Sequence, residues 1–150
     1  MNMQKKLEKK CGKSDMRIMI DTNVLISIIF FPSVQMNELK TKICKKHTIV
    51  LCSHIVEELS RVTKRKFTHK LKDLDDFLTE LPYELVYTPA FLERDKFPVM
   101  RDIYDYPILA TAILENVDVL ITGDKDFAAV YCLFEKGWIH NNYYLKVMML

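Results

Sequence analysis

Short apolar segments with the character of buried β-strands alternate along this chain with segments of helical character. Strands that are apolar on both faces are typical of a parallel sheet covered by helices. The pattern therefore predicts an α/β fold with a central parallel sheet of about four strands. The strands are predicted at residues 16–20, 48–52, 84–87 and 117–122, and the helices at residues 24–30, 34–46, 53–65, 71–81 and 107–115.

Length and composition fit one domain with a single core, since 150 residues are 49% hydrophobic. No apolar run reaches the roughly 18–20 residues needed to span a bilayer, so we expect no membrane segment. Residues 1–15 are lysine-rich without an apolar stretch, which predicts a basic extension rather than a secretory signal. The four cysteines form no CxxC pair, so we expect free thiols in the reducing cytoplasm.

Charge is distributed unevenly along the chain. Residues 61–72 contain six lysines or arginines and no acidic residue, whereas residues 93–126 contain eight acidic residues and four basic ones. A basic surface beside an acidic cluster suits an enzyme that binds a polyanion. A basic run on a helix can equally be a solvated face, and the sequence leaves both interpretations open.

Three aspartates lie at predicted element boundaries. Asp21 follows the first predicted strand, Asp124 follows the fourth, and Asp105 precedes the helix at residues 107–115. In open parallel sheets, ligands bind outside the carboxyl ends of the strands, so these aspartates are candidates for one site. Each could instead cap the helix that follows it. Ser53 is likewise predicted to cap the helix that begins there.

Helix geometry selects one glutamate to join the aspartates. With about 100° of rotation per residue, the apolar side chains of the helix at residues 53–65 form one stripe centred near Ile55 and Leu59. Glu57 points away from that stripe, towards solvent. Glu58 lies at its edge, where a carboxylate can reach over the rim of the sheet.

Four carboxylates in one place require cations. Two carboxylates about 4 Å apart repel by roughly 4 kcal/mol at an effective dielectric constant near 20. Oxygen ligands without histidine or cysteine favour Mg²⁺ or Mn²⁺. One or two such ions can activate water and stabilise the charge that develops when a phosphodiester is hydrolysed. The sequence therefore predicts a metal-dependent hydrolase site.

Four segments of the chain resemble the motifs of the PIN-domain family, and more narrowly its branch of toxins from toxin–antitoxin systems. They are IDTNVL at residues 20–25, Glu58 with Leu59, RDIYDYPILA at residues 101–110 and ITGDKDF at residues 121–127. The order and spacing match. DTNVL alone is moderately specific, and its combination with TGDKDF about a hundred residues later is much more so.

The resemblance implies a PIN-like three-layer α/β/α fold and metal-dependent cleavage of RNA by a toxin that a small cognate antitoxin silences, often as a homodimer. By position, Asp21, Glu58, Asp105 and Asp124 match the family's catalytic, metal-binding carboxylates. Asp126 would be an auxiliary ligand. Four further residues match or neighbour positions that orient the carboxylates or the metal shell: Thr22, Asn23, Asp102 and Thr122.

Phosphate binding is electrostatic and independent of sequence, so basic residues near Glu58 are candidates for contacts to the RNA backbone. We select Lys64, Arg65 and Lys66 from the basic run.

The resemblance ends before the chain does. Family members commonly continue into a last strand and a closing helix, for which residues 128–150 show no clear counterpart. We therefore expect a nuclease domain at residues 16–127, followed by a divergent or truncated segment. Two alternatives stay open. One is a catalytically impaired module that binds RNA or an antitoxin, and the other is a phosphate-handling protein phosphorylated on Asp21.

Overall fold

The computed structural model describes residues 15–97, 99–124, 127, 139–140, 143–144 and 146–149. Its strands are β1 (Arg17–Ile20), β2 (Thr48–Cys52), β3 (Tyr83–Val86), β4 (Val119–Thr122), β5 (Ile139–His140), β6 (Tyr143–Tyr144) and β7 (Lys146–Met149). Its α-helices are α1 (Thr22–Phe30), α2 (Val34–Lys46), α3 (Ser53–Lys66), α4 (Leu71–Glu80) and α5 (Tyr106–Leu114). Short 3₁₀ turns lie at Thr68–Lys70 and Arg94–Lys96.

The central sheet has five parallel strands in the order β3-β2-β1-β4-β7. The four strands predicted from the sequence are confirmed, and β7 adds a fifth at the edge beside β4. Strands β5 and β6 form a separate antiparallel pair. The sequence indicated no last strand, because the four residues of β7 include a single β-branched side chain, Val147, and no turn residue adjoins them.

The middle of the sheet is covered on both faces. Every residue of β4 is buried, as are the last three residues of β1 and the last four of β2. Val147 and Met148 of β7 are buried as well. Because successive side chains of a strand point to opposite faces, burial of consecutive residues requires helices on both sides. The predicted α/β architecture is confirmed.

The strand order places a topological switch between β1 and β4. From β1 the chain proceeds outward through β2 to β3, and it then returns through α5 to β4 on the other side of β1. The connections that leave the carboxyl ends of these two neighbouring strands therefore diverge. A crevice at such a point is where open α/β sheets bind ligands.

One predicted cap is wrong. Ser53 is the first residue of α3, and Cys52 occupies the N-cap position without a side-chain hydrogen bond. The Ser53 hydroxyl instead accepts a hydrogen bond of 3.0 Å from the backbone N–H of Thr88, just after β3. This bond joins the start of α3 to the connection that follows the edge strand.

None of the described helices has the length and apolar character needed to span a bilayer.

Candidate active site

Asp21 is held at the carboxyl end of β1 by two hydrogen bonds. Its side chain is buried and caps α1, with Oδ1 accepting from the backbone N–H of Thr22 at 2.7 Å. Its other oxygen, Oδ2, accepts from the hydroxyl of Thr122 at 2.8 Å. The capping role is therefore real, but it uses one oxygen and leaves the carboxylate fixed between two strands.

Thr122 ties Asp21 to Asp124. This threonine ends β4, and its fully buried hydroxyl donates to Asp21 while it accepts from the backbone N–H of Asp124 at 3.1 Å. The pairing of β1 with β4 brings the two acidic segments together, since the Asp21 N–H donates to the carbonyl of Ile121 at 2.9 Å.

Glu58 reaches the site from α3, as the helix geometry predicted. Glu57 is exposed, whereas Glu58 is half-buried at the edge of the stripe formed by Ile55 and Leu59. The Thr22 hydroxyl donates to Glu58 Oε2 at 2.6 Å. Because Thr22 follows Asp21 directly, this bond couples the glutamate to the end of β1.

Asp105 occupies the N-cap position of α5 but does not cap the helix. Its backbone is helical rather than extended, with φ −87° and ψ −14°, and its side chain makes no capping hydrogen bond. An N-cap normally has extended dihedral angles that aim its side chain at the first N–H groups. The capping interpretation is therefore wrong for this residue. Its Oδ2 is buried and has no hydrogen-bond partner among the residues that the structure describes.

Burial and neighbouring charges raise the pKa of two of the carboxylates, Asp21 and Asp105. Burial, followed by the charges of Glu58 and Asp124, raises the pKa of Asp21 to about 6, against the lowering effect of its hydrogen bonds. Burial also raises the pKa of Asp105 to about 7, with further increases from the charges of Asp21 and Asp124, from a hydrogen bond with Asp124 and from the charge of Asp102. Carboxyls that are costly to ionise together are typical of functional sites.

The other predicted site residues are more dispersed. The charge of Asp102 contributes to the raised pKa of Asp105, and its Oδ1 accepts a hydrogen bond from the Tyr104 N–H at 2.8 Å. Asn23 is exposed, and its side chain contacts none of the described carboxylates through a hydrogen bond. Asp126 lies outside the described residues. Three basic side chains are exposed in the last turn of α3: Lys64, Arg65 and Lys66.

The carboxylates are neighbours without forming a compact ligand cluster. Among the residues that the structure describes, no three acidic, histidine or cysteine side chains converge closely enough to hold a metal ion. Asp21 and Glu58 are turned towards hydrogen-bond donors, which reduces their mutual repulsion. The predicted metal site stays a prediction.

Two further side chains near the start of α5 were not predicted from the sequence. The guanidinium of Arg94 lies 5.7 Å from the centre of the Tyr106 ring, and the Tyr106 hydroxyl is buried with no hydrogen-bond partner in the described part of the chain. The position of Tyr106, directly after a candidate ligand, was the available signal. No such signal was available for Arg94, because its contact with Tyr106 depends on the path of the loop before α5.

Comparisons with known proteins identify the family of the chain and relate its fold to solved structures. The PIN domain family model matches residues 17–126. A crystal structure of VapBC2 from Rickettsia felis bound to a DNA fragment from their promoter aligns with a TM-score of 0.61 at 22% identity, over 89% of this chain and 99% of that one. DNA-bound VapBC from Salmonella typhimurium aligns with a TM-score of 0.53 at 17% identity, over 88% and 98%.

A comparison with curated proteins finds no significant match. The two structural likenesses have low sequence identity and bear on the fold, which is the three-layer PIN-like α/β/α arrangement. The family model covers more than two thirds of the residues, including the segments that carry Asp21, Glu58, Asp105 and Asp124. The chain belongs to the PIN-domain family.

Proposed function

We propose that this protein is a metal-dependent endoribonuclease that hydrolyses phosphodiester bonds in RNA, acting as the toxin of a toxin–antitoxin pair. One observation carries the proposal: at the switch point of the sheet, burial raises the pKa of Asp21 and Asp105, and the charges of neighbouring carboxylates add to both increases. Membership of the PIN-domain family supports a nuclease rather than another use of such a cluster.

A divalent cation suits the chemistry of these donors, which would have to move closer together to hold it. The donors are carboxylate oxygens, which suit Mg²⁺ or Mn²⁺, and the buried Asp105 Oδ2 has no hydrogen-bond partner among the described residues that would compete with such an ion. In the proposal, Asp21, Glu58, Asp105 and Asp124 hold the ion, with Asp126 as an auxiliary ligand. Once bound, the ion would supply an activated water and stabilise the charge that develops at the phosphate.

The chain's own residues would fix the carboxylates and position the RNA. The hydroxyls of Thr22 and Thr122 hold Glu58 and Asp21 in single orientations, which reduces the reorganisation needed for binding. The charge of Asp102 adds to the raised pKa of Asp105, after burial and the effects of Asp21 and Asp124. Asn23 is exposed beside Asp21 and is proposed to contact the metal shell or substrate.

Contacts to the RNA backbone are proposed for the basic end of α3. A surface groove of about 570 Å³ is lined by three cations, Arg61, Lys64 and Arg65, together with Val56, Glu57 and Ser60. These cations lie on the helix that carries Glu58. Lys66 extends the same charge in the last turn.

The proposed partners are RNA, a small cognate antitoxin and a second copy of the chain, in the cytoplasm. The antitoxin is supported by the likeness in fold to the two VapBC structures and by the four motifs. The exposed side chains of Phe31, Val34 and Phe91 provide apolar surface that a protein partner could cover.

Cleavage of single-stranded RNA with Mg²⁺ tests the activity directly. Glu58→Gln keeps the size of the side chain but removes its charge, and it is expected to reduce the cleavage rate by at least roughly 100-fold. Glu80→Gln, which changes an exposed glutamate at the end of α4, is the matched control, and its rate is expected to stay within about twofold.

Equal rates for the two variants would contradict the assignment of Glu58. RNA binding by the wild type without cleavage, with either metal, would replace the nuclease with a binding module. Acyl-phosphate labelling that Asp21→Asn abolishes would instead indicate a phosphate-handling protein.

A further inference from the structure

A cavity of about 410 Å³ opens beside the candidate site. Its lining includes His54, four residues before Glu58 on α3, and also Ile103 and Tyr106, which flank Tyr104 and Asp105 in the sequence. The cavity is therefore lined by residues from both segments that carry these two proposed metal ligands. Its volume is in the range of sites that enclose a small ligand.

The walls of this cavity combine planar groups with polar groups. The Arg94 guanidinium lies 5.7 Å from the centre of the Tyr106 ring, and the side chain of Phe91 at the mouth is 81% exposed. Thr88 and His54 add side chains that can form hydrogen bonds. Aromatic rings and guanidinium planes are the surfaces on which proteins stack unpaired RNA bases.

Tyr106, which lines this cavity, carries a buried polar group. The residue is 6% exposed, and its hydroxyl is buried with no hydrogen-bond partner among the described residues. Buried hydroxyls nearly always have a partner, and exceptions call for an explanation. Phe97 packs edge-on against the ring, with centres 5.9 Å apart, and so holds the tyrosine in place.

We propose that this cavity binds one unstacked base of the RNA strand beside the cleaved phosphate, and that Tyr106 and Arg94 determine which base is preferred. This proposal depends on the proposed function, since it assigns the substrate's base to a subsite of that same site. In the proposal, Arg94 stacks on or hydrogen-bonds to the base, and a side-chain shift on binding brings the buried Tyr106 hydroxyl into reach of the base edge. The nuclease thus gains sequence preference from a pocket rather than from its backbone contacts.

The walls favour a base over a peptide side chain. A second cavity of about 320 Å³ shares Arg94, Ile103 and Tyr106 with the first, so the surface continues for a further unit of a strand. A peptide from a protein partner is the alternative occupant. It would leave base preference unchanged when the pocket is altered.

Mapping of cleavage sites in a randomised single-stranded RNA pool, with the full chain and Mg²⁺, tests the subsite. Wild-type protein is expected to prefer particular bases at one position next to the cut. Tyr106→Phe and Arg94→Ala are each expected to weaken that preference by about tenfold, which corresponds to about 1.4 kcal/mol. Tyr106→Phe is expected to fold normally, because the hydroxyl it removes has no partner to lose.

Two matched controls remove a hydroxyl and a cation from residues close in sequence to Tyr106 and Arg94. Tyr104→Phe removes a hydroxyl from a side chain that is 78% exposed, and Lys96→Ala removes a cation from the 3₁₀ turn that holds Arg94. Both are expected to keep the wild-type preference within about twofold. The subsite is overturned if Tyr106→Phe and Arg94→Ala also keep it, or if wild-type cleavage shows no preference at any position beside the cut.

Binding without cleavage separates this proposal from the nuclease itself. Short oligonucleotides of A, C, G or U are titrated into each protein in the presence of a chelator. If no RNA is ever cut but one base binds best and Tyr106→Phe removes that preference, the subsite stands and the nuclease proposal fails. If the wild-type protein cuts no RNA and binds all four bases equally, both the nuclease proposal and the subsite proposal fail.

Discussion

The sheet has one rim at the amino ends of its strands, here called the amino edge, and another at their carboxyl ends, the carboxyl edge. Carboxylates have different hydrogen-bond partners at these two edges. At the amino edge, Arg17 donates to both oxygens of Glu84, at 3.1 and 2.7 Å, and its backbone N–H donates to Asp118 Oδ2 at 2.9 Å. At the carboxyl edge, Asp21 and Glu58 accept from neutral hydroxyl or amide donors. Among the described residues, neither forms an ion pair with a lysine, arginine or histidine.

The difference separates carboxylates with a structural role from those proposed to act in catalysis. At the amino edge a fixed guanidinium, which also donates to the carbonyls of Glu115 and Asn116, joins β1, β3 and the connection before β4. The carboxyl edge concentrates negative charge, and within the described part of the chain no fixed cation is paired to Asp21 or Glu58. Such an edge is costly for folding unless a cation from solution completes it.

The largest expected effect is a loss of cleavage rate, tested by changing one aspartate at each edge. Asp105→Asn is expected to lower RNA cleavage by at least roughly 100-fold, because an amide is a weaker ligand for a divalent cation than a carboxylate. Asp118→Asn, at the amino edge, is expected to leave the rate within about twofold. Initial rates at saturating Mg²⁺ measure both. Similar losses in the two variants would mean that the edges do not differ in function.

A smaller effect is expected from the threonine that supports the site. Thr122→Val preserves shape but leaves Asp21 Oδ2 and the Asp124 N–H without their shared partner. We expect Mg²⁺ affinity or activity to fall by about 10–100-fold, and Thr122→Ser to restore most of it. Titration of activity against Mg²⁺ concentration measures this. A valine variant with unchanged affinity would show that the hydroxyl does not orient the carboxylate.

The pH dependence of stability follows from the raised pKa values. Folding raises the pKa of Asp21 from 3.8 to about 6 and that of Asp105 from 3.8 to about 7, so the folded state binds these protons more tightly. In the presence of a chelator, their contribution favours folding at low pH and is lost as pH rises through about 6 to 7.

Melting temperatures between pH 5 and pH 8 measure this dependence. Asp105→Asn is expected to reduce the loss by a few degrees, roughly the effect of 1 kcal/mol in a domain of this size. Asp118→Asn, which changes the amino edge, is expected to keep the wild-type slope. An Asp105→Asn protein with that same slope would contradict the electrostatic account of the carboxyl edge.

The smallest effect is expected at the amino edge. Arg17→Met keeps much of the aliphatic stem but removes the bonds to Glu84, whose side chain is 44% exposed. Exposed ion pairs contribute about 0–1 kcal/mol, and we expect a loss of that size in the free energy of unfolding, with cleavage unchanged. Urea denaturation measures the stability. Reduced cleavage at unchanged stability would show that the two edges are coupled.

The fold was largely predictable because its strands are short apolar runs with clear boundaries. The exception is β7, whose four residues carry little local β-propensity and form a strand because β4 offers an open edge. The choice between Glu57 and Glu58 was predictable too, since it depends on helix rotation alone.

Backbone conformation limited what the sequence could reveal about the site. An aspartate before a helix can cap it or face away, and only the dihedral angles distinguish the two cases: Asp21 is extended and caps, whereas Asp105 is helical and does not. The contact of Arg94 with Tyr106 depends on the path of a loop, which no sequence period encodes. Convergence of side chains is set by tertiary structure.

The most direct test is the effect of Mg²⁺ on thermal unfolding near pH 7.5. If the carboxyl edge binds the ion, millimolar Mg²⁺ raises the melting temperature of the wild-type protein in a saturable way, because a ligand of the folded state stabilises it. The same Mg²⁺ leaves Asp105→Asn nearly unchanged. A wild-type melting temperature that does not respond to Mg²⁺ or Mn²⁺, or that rises equally in Asp105→Asn, would contradict a divalent-cation site at this edge.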